Sequence, residues 1–347
     1  MTAHEARAVE LVRRYGRTGT AFQVLNPGLA YWFDAGQGMV AYMDTGGAWV
    51  AAGEPIAPLE AVEPVARRFV AAAHAAGRRA SFFGTEESLA RATGFRCLRL
   101  GEQPVWDPQQ WEAHRRAHRS LREQLRRARA KGVTVRELTA ADLQHDSTLH
   151  GQVDAVVRHW LATRPMPPMH FLVEVVPLRW LTHRRVYIAE RAGVVIAVLS
   201  CAPVPARNGW LFEHVLRNPD APNGTTDALI DAAMRARARE GVTWVTLGFA
   251  PLSGEVNRAL RWARRLSQPL FNFSGLTAFK RKFRPQHWEP IYLTYPSESG
   301  PVVALLDGLR AFAGGALWRF GLRAVLRRPV RALVRGDAAR GTAGPRA

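Results

Sequence analysis

Cysteine and lysine are the scarce residues of this 347-residue chain. The two cysteines, Cys97 and Cys201, stand far apart and neither belongs to a C-x-x-C pair. That argues against a disulfide scaffold, a zinc ribbon or a thioredoxin-like motif, and it fits a reducing cytoplasm. Long apolar runs are missing as well: no uncharged stretch reaches the about 18 residues needed to cross a bilayer, and the opening MTAHEARAVELVRR is charged where a signal peptide would be apolar. The expectation is a soluble or peripheral protein. The 11 histidines form no H-E-x-x-H zinc motif, so no metal is expected. Ser253 lies in PLSG with no G-x-S-x-G elbow, which disfavours a serine hydrolase. Acidic residues are few: 29 against 48 lysines and arginines gives +19. Such a balance points to an anionic partner, nucleic acid or a lipid surface, or else to a solvated basic surface. Only Lys131, Lys280 and Lys282 are lysines, so nearly all the positive charge is arginine.

The pattern along the chain is α/β. GMVAYMDTGGAWVA predicts a hairpin with its turn at Asp44 to Gly47; a helix over Glu60 to Ala76 stops at Gly77, and a strand at RRASFFG and a short helix at ESLARATG follow. The order recurs later: strands at VYIAERAG, VVIAVLSCAPV and GWLFEHVL, a turn at APNG, a helix from about Thr226 to Glu240, a strand at VTWVTLG and a helix around Glu255 to Arg265. A shared element order without visible identity suggests a tandem duplication. The expected divisions are 1–107 and 132–295 for the two halves, 108–131 for one long basic helix between them, and 296–347 for an Arg/Leu/Ala-rich tail.

The sharpest local signal is PDAPNGTTDALI. Asn223-Gly224 supplies a positive-φ turn, Thr225 or Thr226 a capping hydroxyl, and Asp227 a charge suited to a helix N-terminus, where free N–H groups favour anions. A well-capped helix with no ligand satisfies the same pattern. Arg217-Asn218-Pro219-Asp220-Ala221-Pro222 lacks the glycines of the Q/R-x-x-G-x-G/A turn that binds coenzyme A in GNAT acyltransferases, so that cofactor is disfavoured.

FEHVLRNPDAPNGTTDALIDAAM, LGFAPLSG and FNFSGLTAFKRKFRPQHWEPIYL, taken in that order, resemble the C-terminal catalytic domain of bacterial phosphatidylglycerol lysyltransferases, the multiple peptide resistance factors. GEPIAP resembles the family's G-D/E-P segment, and the likeness runs from about Tyr15 to Tyr295. The resemblance implies a tandem GNAT-like fold, as in Fem-type transferases, and transfer of an amino acid from aminoacyl-tRNA to a lipid hydroxyl with no other cofactor. The chain departs from full-length members in lacking their membrane-spanning region, and Glu213 stands where many have aspartate.

An aminoacyl ester is already activated, so its transfer needs positioning, proton movement and oxyanion stabilisation. Under the resemblance, Glu213 would bind the amino acid's ammonium, the alternative being a surface carboxylate paired with Arg217. Arg217 would hold a tRNA or lipid phosphate, with Asn223, Gly224, Thr225 and Ser253 around the substrate. Lys280 and Lys282 match the family's basic positions and would touch a phosphate or the reacting ester; a solvated basic strand or turn is the plainer reading. Trp288, Glu289 and Tyr292 read as structural, and His214 faces away from Glu213 if the strand is regular.

In WEAHRRAHRSLREQLRRARAKG, Arg115, Arg119, Arg122, Arg126 and Arg129 recur at helical spacing and form a stripe suited to the phosphates of charged tRNA. In the tail, Trp318, Arg319 and Arg323 belong to an apolar-basic pattern suited to an anionic membrane surface, or to a helix docked on its own domain. The expected location is the inner face of the cell membrane, where a separate flippase would have to move any product outward. Two rival readings remain: an acyl-CoA-dependent N-acyltransferase, and a non-catalytic binder of RNA or anionic lipid.

Overall fold

The chain opens on a helix, Ala3–Tyr15 (α1), started by a capping box in which Thr2 and Glu5 exchange hydrogen bonds. The computed structural model describes residues 2–164, 169–256 and 273–315. Strands Ala30–Asp34 (β1), Gly38–Asp44 (β2) and Ala48–Ala52 (β3) form an antiparallel meander with the expected hairpin. Helix Val62–Ala75 (α2) then crosses to Arg79–Thr85 (β4), parallel to β3. Helix Glu87–Thr93 (α3), ended by Gly94 in the left-handed conformation, leads to Arg96–Trp106 (β5). Phe69 of α2 is fully buried against Phe82, Tyr42 and Trp49, a contact worth roughly 1.5–3 kcal/mol in burial alone.

Between the halves the chain makes two helices, Trp111–Ala117 (α4) and Arg119–Ala130 (α5), broken at His118, whose backbone is extended. The single long helix expected there is therefore corrected. The break lets both pieces pack on one later helix: the Trp111 indole donates to Asp231 at 3.0 Å, while Leu121 and Ala128 enter the same core.

The second half runs Thr134–Leu138 (β6), Ala140–His145 (α6), Ser147–Ala162 (α7), Arg185–Arg191 (β7), Val194–Val204 (β8), Gly209–Arg217 (β9), Thr225–Arg239 (α8) and Trp244–Thr246 (β10). Ala250–Pro251 (β11), Phe273–Lys282 (α9), His287–Tyr295 (β12) and Pro301–Phe312 (α10) complete the described elements. The helix expected around Glu255 to Arg265 falls largely outside the described residues. Alternation divides the strands: Tyr187 and Ala189 pack under α8 with Leu229 and Met234, whereas Val186 and Ile188 pack under α7 with Val153 and Val156.

The repeat expected from element order is visible in the pairing. Each half has antiparallel strands, then a helical crossover to a parallel strand: β3-α2-β4 and β9-α8-β10. Each half then gives its last strand to the other. β12 lies between β4 and β5, and β5 lies between β12 and β10, so the described strands form one sheet ordered β1-β2-β3-β4-β12-β5-β10-β9-β8-β7-β6, with β11 on β5. This exchange brings the ends of both crossovers to the central β5–β12 ladder.

Candidate active site

At that ladder lies a narrow cleft of about 50 Å³, walled by Phe83, Gly84, Leu172, Phe249, Ile291 and Phe312, with Gly19, Thr20, Gln103 and Gly248 completing it. Phe83 and Gly84 come from the end of β4, and Gly248 and Phe249 follow β10, so both halves contribute equivalent ends. Crevices at strand ends beside such crossovers are where α/β sheets bind ligands.

Beside Gln103 the wall is charged. Gln103 Nε2 donates to Glu289 at 2.9 Å, across a directly paired position of β5 and β12. Arg207 donates to Glu289 at 3.1 Å and to Glu86 at 2.5 Å, and its guanidinium lies 5.1 Å from the Trp244 ring centre, whose N–H also reaches Glu289. The Glu86 N–H donates to the Glu54 carboxylate at 2.8 Å. Burial pushes Glu54 up to about 7, against the opposing N–H of Glu86. Burial likewise raises Glu86, with Arg207 and Arg17 opposing. At Glu289 the burial effect is outweighed by Arg207, Trp244 and Gln103, which hold its carboxyl below the ordinary range. Three carboxyl groups thus share two guanidiniums, one carboxyl more than the guanidiniums can neutralise. Glu54 follows Gly53, whose φ of +82° and close approach to Thr20 Oγ1 fix the GEPIAP turn against the cleft.

Glu213 is not the surface carboxylate of the alternative reading. Its carboxylate is 4% exposed, paired with the buried guanidinium of Arg184 and bonded by Gln23 at 3.1 Å. Burial opposes its ionisation, but Arg184 and His214 overcome this and keep it below the usual range. The ladder slips between Ser200 and Cys201, where Cys201 faces Phe212 and Ser200 faces His214. Glu213 is the extra residue of this bulge, so the regular alternation expected for His214 fails and the imidazole lies 3.6 Å from Glu213. Arg217 is exposed and donates to the Ala221 carbonyl at 3.1 Å; it makes no pair with Glu213.

The turn before α8 is explained by packing. Gly224, not a threonine, is the N-cap, at φ +91°; a Cβ there would stand 2.2 Å from the Gln124 carbonyl of α5. Only glycine lets α8 start that close to the basic helix. Thr225 turns its hydroxyl back to the Pro222 carbonyl at 2.6 Å, and Asn223 is exposed. Asp227 is buried and meets Lys282 at 2.5 Å.

Phe279 to Lys282 of FKRKF form the last turn of helix α9, and Phe283 follows it in a turn. Lys280 is buried, and its ammonium donates to the carbonyls of Gly248 and Phe249 at 2.6 and 2.8 Å. Burial pushes this amine down to about 7. Lys280 thus holds the LGFAPLSG loop from behind while Phe249 faces the cleft. Ser253, also buried, donates to the Ala250 carbonyl at 2.7 Å. On α4 and α5, Arg115 pairs with Glu112 and Arg126 with Glu123, and Arg119, Arg122, Arg126 and Arg129 are exposed. Trp318, Arg319 and Arg323 lie outside the described residues.

Sequence reasoning did not single out Glu54, Glu86, Arg207 or Gln103, and read Glu289 as structural. The available signal was the pair of glutamates closing the first half's crossover strands, Glu54 after β3 and Glu86 after β4. Among the described residues no group of three or more His, Cys, Asp or Glu side chains is arranged to hold a metal, and no helix is long and apolar enough to cross a membrane.

The chain is similar to the C-terminal domain of a putative lysylphosphatidylglycerol synthetase from Agrobacterium fabrum, with 25% identity, 90% of this chain and 98% of that one covered, and a TM-score of 0.76. It also matches the fold of FemX at a TM-score of 0.53, with 10% identity over 88% of this chain and 99% of that one. Together with the duplicated topology, this establishes the tandem GNAT-like fold. A lysylphosphatidylglycerol biosynthesis bifunctional protein of Mycobacterium sp. is 25% identical over 291 residues, which is 75% of this chain and 25% of that protein. The model of the family described as phosphatidylglycerol lysyltransferase, C-terminal, matches residues 9–295, and the chain belongs to that family.

Proposed function

We propose that the protein is an aminoacyltransferase that moves an aminoacyl group from charged tRNA to a hydroxyl of an anionic membrane lipid at the inner membrane face. The observation that carries this reading is the juxtaposition of an apolar cleft with a carboxyl-rich wall where the two halves meet. The ammonium of the aminoacyl group would lie against Glu289, Glu86 and Glu54, the task first expected of Glu213. The acceptor's glycerol hydroxyl would enter from the apolar side. Its oxygen forms a bond to the ester carbonyl carbon, the bond from that carbon to the tRNA ribose oxygen breaks, and the hydroxyl proton ends on the ribose oxygen.

Glu54, balanced near neutral pH, suits proton movement between those oxygens. Lys280 acts as a positioning residue, because its amine fixes the carbonyls of the loop that carries Phe249. The exposed arginines of α5 would meet tRNA phosphates, and a separate flippase would serve any outward movement of the product.

The test is incubation of the protein with a pool of labelled aminoacyl-tRNAs and phosphatidylglycerol vesicles, following label into the organic phase. Label that appears there and falls at least roughly a hundredfold with Glu54→Gln supports the reading, since a general acid–base group contributes about that much or more. No transfer from any aminoacyl-tRNA, by a folded protein beside an active control transferase, would refute it.

A further inference from the structure

Helix α10 buries one face and leaves the other bare. Ala304, Asp307, Gly308 and Ala311 face inward, while Val302 is 68% exposed, Leu309 46% and Val303 and Leu306 each 41%. Positions 302, 306 and 309 follow one helical stripe, with 303 beside it. Such clustering differs from scattered surface apolar residues and marks an interaction face.

The helix is held firmly from beneath. Asp307, 2% exposed, accepts both arms of Arg79 at 2.9 Å and a further bond from Arg310 at 3.0 Å. Gly308 lies where a Cβ would meet the Phe83 ring at 3.0 Å. Phe312 packs on Phe83 and Phe171, with ring centres 4.9 and 5.2 Å apart, and lines the cleft. The same helix is therefore bare outside and part of the cleft wall inside.

We infer that the outer face of α10 docks on the surface of an anionic bilayer and so sets the cleft mouth at the depth of the lipid headgroups. Charge complementarity selects this occupant: two arginines share the one Asp307 beneath the stripe, and residues 316–347, which continue from the helix, contain eight arginines and only Asp337 as an acid. An apolar strip flanked by arginine matches the profile of an anionic interface, apolar below and negative at the headgroups. The inference rests on the transferase reading for its purpose, but its test does not.

The test is flotation of the full chain with equimolar phosphatidylglycerol and phosphatidylcholine vesicles, comparing wild type with the combined variant Val302→Ser, Leu306→Ser, Leu309→Ser. The expected result is partition weakened roughly tenfold or more, and little binding by either protein to pure phosphatidylcholine. Turnover on vesicles should fall in step, while turnover on dispersed short-chain phosphatidylglycerol is kept. Unchanged flotation of the variant overturns the inference. Absence of turnover by wild type on both lipid forms refutes the transferase reading and leaves the flotation result standing. Should the combined variant fail to fold, Leu309→Cys in a Cys97→Ser background reports directly, since Cys201 is buried. A maleimide should label Cys at this position in the free protein and be blocked by the anionic vesicles. Protection without vesicles means that another part of the chain or a second copy covers the stripe, and overturns the inference.

Discussion

Replacing Lys280 by methionine should change how stability depends on pH, in a direction and amount that the site fixes. The folded amine titrates near 7, against 10.5 for an ordinary lysine, because it is buried. Between those values the unfolded chain binds a proton that the native site refuses. Wild-type stability therefore rises with pH by about 1.4 kcal/mol per unit from 7 towards 10.5, and is level below 7. Methionine keeps the straight apolar stem and removes this titration. It also leaves the carbonyls of Gly248 and Phe249 without the ammonium donor, at about 1–3 kcal/mol each. Near pH 7 the two effects oppose, about 4–5 kcal/mol of relieved burial against about 2–6 kcal/mol of lost hydrogen bonds, so the proteins should be close in stability. By pH 10 relief has nearly vanished, and the variant should have lost about 4 kcal/mol relative to wild type over the interval. Urea unfolding of both proteins at pH 7, 8, 9 and about 10 measures the difference. Stability curves that run parallel from pH 7 to about 10 would show that the buried amine does not titrate there, and would refute the reasoning.

Gly224→Ala should destabilise by about 3 kcal/mol or more, since alanine is strained at φ +91° and its Cβ meets the Gln124 backbone; an unchanged urea midpoint would contradict that. Because α5 must shift to relieve the contact, tRNA binding measured by filter retention should also weaken, though no arginine has changed. Glu54→Gln should flatten the stability profile in a different window. The native carboxyl holds its proton up to about 7 against an ordinary 4.5, so wild type loses about 3 kcal/mol as pH rises from 4.5 through 7, and the glutamine variant does not. Thermal melts at pH 5 and at pH 8 should show a larger fall in Tm for wild type; equal falls would exclude the titration.

Local pattern determined much of this molecule. The hairpin at β2–β3, the helix stopped at Gly77, the glycine-ended helix α3 and the strand-turn-helix entry to α8 follow from side-chain period and turn chemistry, which act over a few residues. The duplicated order was also legible, and the motifs from FEHVLRNPDAPNG to FKRKFRPQHWEPIYL pointed to the family. What those motifs touch was decided by tertiary structure. A bulge cannot be read from alternation, and it turned Glu213 towards Arg184, a residue 29 positions away in the chain. Exchange of β5 and β12 between the halves set Gln103 opposite Glu289, 186 residues apart, and left Glu289 beside Arg207. The emphatic turn at Asn223-Gly224 carried its conformation in its own residues, but its purpose lay in Gln124: the glycine admits the backbone of a helix that sequence spacing alone could not place there. Short-range sterics and hydrogen bonding fix elements, whereas the meeting of charges distant in sequence depends on strand order, which no local pattern contains.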